Sequence, residues 1–259
     1  MFTLAIYATI LCLLNAAYFH AAKNTLDRLE VATQGLIGAQ LVLPLVALAC
    51  IVPCMTAMNA IGVAAIGWRV ELVAPALLAG VLFWAAMQLC LAALVALWPS
   101  AICDPYGPSD AMPARLLGQL LGNALLEETF FRGYLFSRLS IMLLRRRSPA
   151  LSLGLAATLS TTLFALAHLP RMLYEGPVSQ GDILGVTCWA FAFGLLLTGV
   201  FITSGNVFLA VALHALWNAP TMIIAVHPRA IECSWWTLTG LFVAAMAIRN
   251  ARRRSLSFP

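Results

Sequence analysis

Apolar stretches of about twenty residues, the length that crosses a bilayer as a helix, recur from Met1 to the basic C-terminal tail, each bounded by charge, Pro/Gly or a polar cluster. In lipid the backbone must satisfy its own hydrogen bonds, which restricts a spanning chain to helices or a closed barrel. Hydrophobic residues make up 62% of the 259 residues and Asp, Glu, Lys and Arg only 10%. A water-soluble domain carries about 25% charged residues, so most of this surface cannot face water. The sequence predicts an all-α, polytopic transmembrane helix bundle of about eight spans: 2–22, 36–58, 73–97, 115–137, 150–168, 183–203, 207–226 and 234–249. The stretch 36–70, interrupted by Pro44, Pro53 and Asn59, reads as one tilted span followed by a short interfacial helix. No positive n-region precedes the apolar run Met1 to Ala22, so it reads as a retained span and not a cleaved signal.

In such a chain the basic residues report orientation, and the net charge of +5 is no sign of a nucleic-acid partner. Alternating the spans puts nine basic residues on one face: Arg69, Arg138, Arg145, Arg146, Arg147, Arg249, Arg252, Arg253 and Arg254. Five lie on the other: Lys23, Arg28, Arg115, Arg171 and Arg229. The bias predicts an integral plasma (inner) membrane protein with both termini cytoplasmic and the bilayer as its surroundings. The seven cysteines form no CxxC pair or zinc spacing and read mostly as small buried hydrophobes. Cys103 and Cys233 fall in loops on the outward face, where they could pair if that side is oxidising.

Arg132, the fifteenth basic residue, lies inside the fourth span with two adjacent glutamates, in LLEETFFRGYLF. A charge near the bilayer centre costs a few kcal/mol even on lenient scales. At about 100° per residue, Glu128 and Arg132 share a helix face at the i,i+4 spacing of an ion pair. Glu127 points about a quarter-turn away and is left for another helix. His168 closes the fifth span in LFALAHLP, with Phe164 one turn earlier on the same face. His214 and Asn218 share a face of the seventh span, in ALHALWNAP. With no water around them, these groups should face the bundle interior and one another. At about 1.5 Å per residue, Glu127 and His214 reach similar depths near mid-membrane, and His168 lies closer to the outer surface.

A desolvated carboxylate beside a neutral imidazole is a general base for water. Water held by Glu127 and His168 could attack a peptide carbonyl, with His214 and Asn218 supplying donors for the developing oxyanion. Ser152 and Ser160 lack a nucleophile motif, which favours direct attack by water. No cofactor is favoured; zinc remains the alternative, with Glu127, His168 and His214 as ligands and an open position for water. The HExxH pair that would strengthen the zinc reading does not occur.

These residues carry a family resemblance. EETFFR fits EExxxR, FALAH fits FxxxH and HALWN fits HxxxN, in that order. The chain resembles the CPBP intramembrane proteases, the CAAX-protease, bacteriocin-processing or abortive-infection family, whose best-known branch is the type II CAAX prenyl endopeptidases. The resemblance covers about 115–226 and implies a membrane-embedded helical site. It also implies Glu127 as base with His168, His214 and Asn218 around the oxyanion, and Glu128 and Arg132 in support. The chain then divides into N-terminal helices without a motif (1–114), a catalytic core (115–226), and a last helix with basic tail (227–259). The expected activity is an endopeptidase acting within or beside the bilayer on a membrane-associated or exported peptide or protein. The competing readings are a non-catalytic immunity or scaffold protein, with the polar cluster as glue between helices, and a proton-coupled transporter.

Overall fold

The computed structural model describes residues 7, 9–10, 13, 17, 21–59, 61–98, 112–170, 172, 179–224 and 226–256. Most of the expected first span and Cys103, with its pairing to Cys233, lie outside the described residues. Among the described residues the chain is helical, without a strand. Among those residues, five helices are long and apolar enough to cross a membrane. Short α1 (Lys23–Ala32) precedes α2 (Ala39–Asn59), which runs through both Pro44 and Pro53. In place of an interfacial helix, two brief 3-10 turns, Val63–Ile66 and Val70–Leu72, lead into α3 (Val73–Leu97). Helix α3 is apolar all round, and Leu77, Leu78, Val81, Leu82 and Leu89 stand exposed on its outer side. A helix apolar on every side suits burial in lipid or in a core.

The fourth span is helical from Met112 to Leu144 but widens twice. It runs as α4 (Met112–Gly118), a π segment (Gln119–Asn123), α5 (Ala124–Glu128), a second π segment (Thr129–Phe136) and α6 (Ser137–Leu144). A π turn loosens the backbone ladder, and in lipid each freed carbonyl needs a substitute donor. The Phe131 carbonyl accepts from Ser160 Oγ at 2.8 Å, and the Arg132 carbonyl from Ser137 Oγ at 3.3 Å. Glycines let neighbouring backbone close on both π segments. A Cβ on Gly122 would meet the Gln40 carbonyl, and one on Gly133 the Ile66 carbonyl. Neither obstacle is a side chain that can turn away. Gly133→Ala is therefore expected to destabilise by about 2 kcal/mol or more through overpacking, read as a lower thermal midpoint in detergent. Gly154→Ala, whose Cβ meets open space, is the control that should leave the midpoint in place.

Helix α7 (Pro149–Leu166) starts with Pro at its first position and follows α6 back across the bundle. Helix α8 (Gln180–Ser204) opens on a capping box between Ser179 and Asp182. It ends at Gly205, whose φ of +66° makes the left-handed turn that stops the helix. Asn206 then caps α9 (Val207–Asn218): its Oδ1 accepts from the Phe208 and Leu209 amides, and its Nδ2 donates to the Leu72 carbonyl at 3.0 Å. This turn fixes where His214 will sit.

The seventh span differs from expectation. Helix α9 has 12 residues, about 18 Å of helix against a hydrocarbon core of about 30 Å. It is an internal element, buried at every residue from Leu209 to Leu216 and packed against α3, α5 and α8. The chain beyond it is pinned to α3, where the Thr221 carbonyl accepts from Trp84 Nε1 at 2.6 Å and from Gln88 Nε2 at 3.1 Å. Helix α10 (Pro228–Leu256) closes the bundle against α8 and α3, and its Trp235 Nε1 donates to the Leu213 carbonyl at 3.1 Å.

Candidate active site

Glu128, on α5, has no exposed surface and is the centre of the polar interior. Its Oε1 accepts from Arg132 Nη1 at 3.0 Å, the i,i+4 pair that the spacing predicts, and from His214 Nδ1 at 2.8 Å. Arg132 is 1% exposed and spends its second nitrogen on the Gly194 carbonyl of α8, at 2.8 Å. Its guanidinium also lies 4.4 Å from the centre of the Phe164 ring. One buried cation thereby holds three helices, and Gly194 permits it: a Cβ there would press on the Phe164 ring and the guanidinium.

A carboxylate accepts hydrogen bonds and cannot donate, so Glu128 fixes His214 as the Nδ1–H tautomer. The other ring nitrogen, Nε2, faces Glu127 Oε2 at 3.8 Å. Glu127 Oε2 is buried and makes no hydrogen bond among the described residues, while the Glu127 side chain as a whole keeps 16% exposure. Two groups that both accept thus face each other at 3.8 Å. This changes what His214 can do. With Nδ1 committed to Glu128, Nε2 donates to an oxyanion only when the ring is doubly protonated.

His168 lies just past the end of α7, half-buried, with Nδ1 2.9 Å from the Phe164 carbonyl. Asn218, the last residue of α9, donates from Nδ2 to Gln119 Oε1 at 2.9 Å. Among the described residues no hydrogen bond joins His168 to Glu127, His214 or Asn218. The structure brings His214 to 3.8 Å from Glu127, and holds His168 on the Phe164 carbonyl and Asn218 on Gln119. Phe164 connects them: its ring meets the His168 ring edge-on at 4.7 Å and lies 6.3 Å from that of His214.

Two contributors escaped sequence reasoning. The Gly194 carbonyl had no signal, because a backbone acceptor has no side chain to notice. Gln119 did have one, as an amide inside an apolar span and buried in the structure, the same anomaly that singles out Glu127. Among the described residues no three His, Cys, Asp or Glu side chains group as a metal site. Glu127 and His214 supply two donors, and His168 is held through Nδ1 by the Phe164 carbonyl, which leaves its Nε2 as the ring nitrogen open to another partner.

Fold and contacts together define an integral membrane helical bundle with carboxylate, imidazole and guanidinium groups gathered inside it. Residues 109–220 match the family model described as type II CAAX prenyl endopeptidase Rce1-like. All three motifs lie within the matched residues. No curated protein and no solved structure matches the chain. The match supports a CAAX-type intramembrane protease in general terms.

Proposed function

We propose that this protein is an intramembrane endopeptidase in which Glu127 activates water for direct attack on a peptide carbonyl. The observation that carries the reading is Glu127 Oε2, buried, without a hydrogen bond among the described residues, and 3.8 Å from His214 Nε2. A water lying to one side, about 2.8 Å from each acceptor, can give one hydrogen to each and present its lone pairs to the substrate. As the O–C bond forms, Glu127 takes the proton and the carbonyl oxygen becomes an oxyanion. One hydrogen of the Asn218 amide is held by Gln119, and its second is the donor we assign to that oxygen. Glu127 then returns the proton to the leaving amine as the C–N bond breaks.

His214 therefore replaces His168 across the water from Glu127. His168 keeps its place at the outer edge of the site, oriented by the Phe164 carbonyl and ring. Glu128 and Arg132 position His214 and do not touch substrate. The catalytic core is assigned to 115–226, and the substrate to a membrane-associated or exported peptide or protein. The basic bias adds a plasma-membrane location with both termini cytoplasmic.

The water-only mechanism is tested with the purified full-length chain and a prenylated CAAX-type peptide in detergent, with and without a metal chelator. Cleavage is expected to continue at an undiminished rate in chelator. Loss of cleavage that added zinc restores would overturn the metal-free mechanism. Absence of cleavage under every condition would overturn the protease reading itself.

A further inference from the structure

Asn218 ends α9 with an exposed side chain. At a helix end its amide would be free to turn, and an oxyanion donor is useful only when its direction is fixed beforehand. Gln119 fixes it, accepting from Asn218 Nδ2 at 2.9 Å. Gln119 is itself 5% exposed, on the first π segment, and donates from Nε2 to Gln40 Oε1 at 3.0 Å. Because Gln119 turns its oxygen to Asn218, its nitrogen must meet Gln40, so each amide sets the direction of the next. The far end is anchored by backbone: at Gly122 the π segment closes against Gln40 and Leu41 with no space for a Cβ. The relay starts in the first turn of α2, within the N-terminal helices that carry no motif.

We infer that Gln119 and Gln40 are positioning residues that orient the Asn218 amide, and that this relay is what the N-terminal helices contribute to the site. The inference rests on the protease reading and on Asn218 as the oxyanion donor. A donor that acts on charge developing in the transition state changes kcat, whereas ground-state binding changes KM. The relay therefore predicts a kinetic signature that a merely structural role does not.

The test uses the purified full-length chain and the same prenylated CAAX-type peptide, comparing Gln119→Leu, Gln40→Leu, Asn218→Ala and the double variant Gln119→Leu/Asn218→Ala. Gln119→Leu is expected to lower kcat about tenfold, less than the hundredfold or more of deleting an oxyanion donor, with KM unchanged. Gln40→Leu should act in the same direction by a smaller factor, and because Gln40 is exposed it carries the test if Gln119→Leu fails to fold. The double variant should be no slower than Asn218→Ala alone, since residues acting through one group are not additive. Multiplying losses in the double variant, or an unchanged kcat in the folded single variants, overturns the relay and leaves the protease reading standing. A wild-type chain that does not cut the peptide, or Glu127→Gln cutting it at the wild-type rate, overturns the protease reading and the relay with it.

Discussion

Glu127→Gln is expected to lower kcat on a prenylated CAAX-type peptide by about a hundredfold to ten-thousandfold, the range typical of losing a general base. The amount of folded protein should stay the same. Both halves follow from the geometry. Glutamine keeps the shape and polarity of glutamate but cannot accept a proton at neutral pH. Among the described residues Glu127 Oε2 has no hydrogen bond to lose, and the ion pair beneath it belongs to Glu128 and Arg132. Kinetics and thermal unfolding on the same preparation separate the outcomes. A wild-type rate would remove Glu127 from the chemistry, whereas a collapse in folded protein would make it part of the structural network.

Arg132→Leu is expected to do the reverse and act on the fold. The guanidinium pairs with Glu128 at 3.0 Å and with the Gly194 carbonyl at 2.8 Å. Without it, a Glu128 carboxylate with no exposed surface keeps only His214. Breaking a buried pair by removing one partner costs about 3–5 kcal/mol, chiefly because the other charge is stranded. The protein should accumulate poorly in membranes and unfold at a lower temperature. Adding Glu128→Gln to Arg132→Leu removes the stranded charge and should recover part of the loss, a non-additivity expected of residues in contact. It should not recover cleavage, because an uncharged residue 128 no longer holds the His214 tautomer as a carboxylate does. A single variant as stable as the wild type would contradict the account.

Several features of the fold were legible as soon as the apolar stretches were marked. Ala39–Asn59, Val73–Leu97, Pro149–Leu166 and Gln180–Ser204 lie where such stretches require helices, because helix is what an isolated backbone can form in lipid. The Glu128–Arg132 pair was legible for a similar reason, since residues four apart in one helix are neighbours whatever surrounds them. Helix α9 was less so. Apolarity signals an all-buried internal helix as readily as a span, and Asn218-Ala219-Pro220 gave only a weak sign of the early stop.

By itself, then, the sequence determined that the chain is helical, that it lives in the membrane, and that its few interior charges must gather and pair. Tertiary structure alone decided which groups meet: His214 beside Glu127, Asn218 turned to Gln119, and Arg132 capped by a carbonyl of α8. The reason is physical. Periodicity fixes neighbours along one helix, but the rotation and axial shift between helices depend on where backbones can close. Here that is set by the two π segments and by Gly122, Gly133 and Gly194, through contacts between residues far apart in the chain.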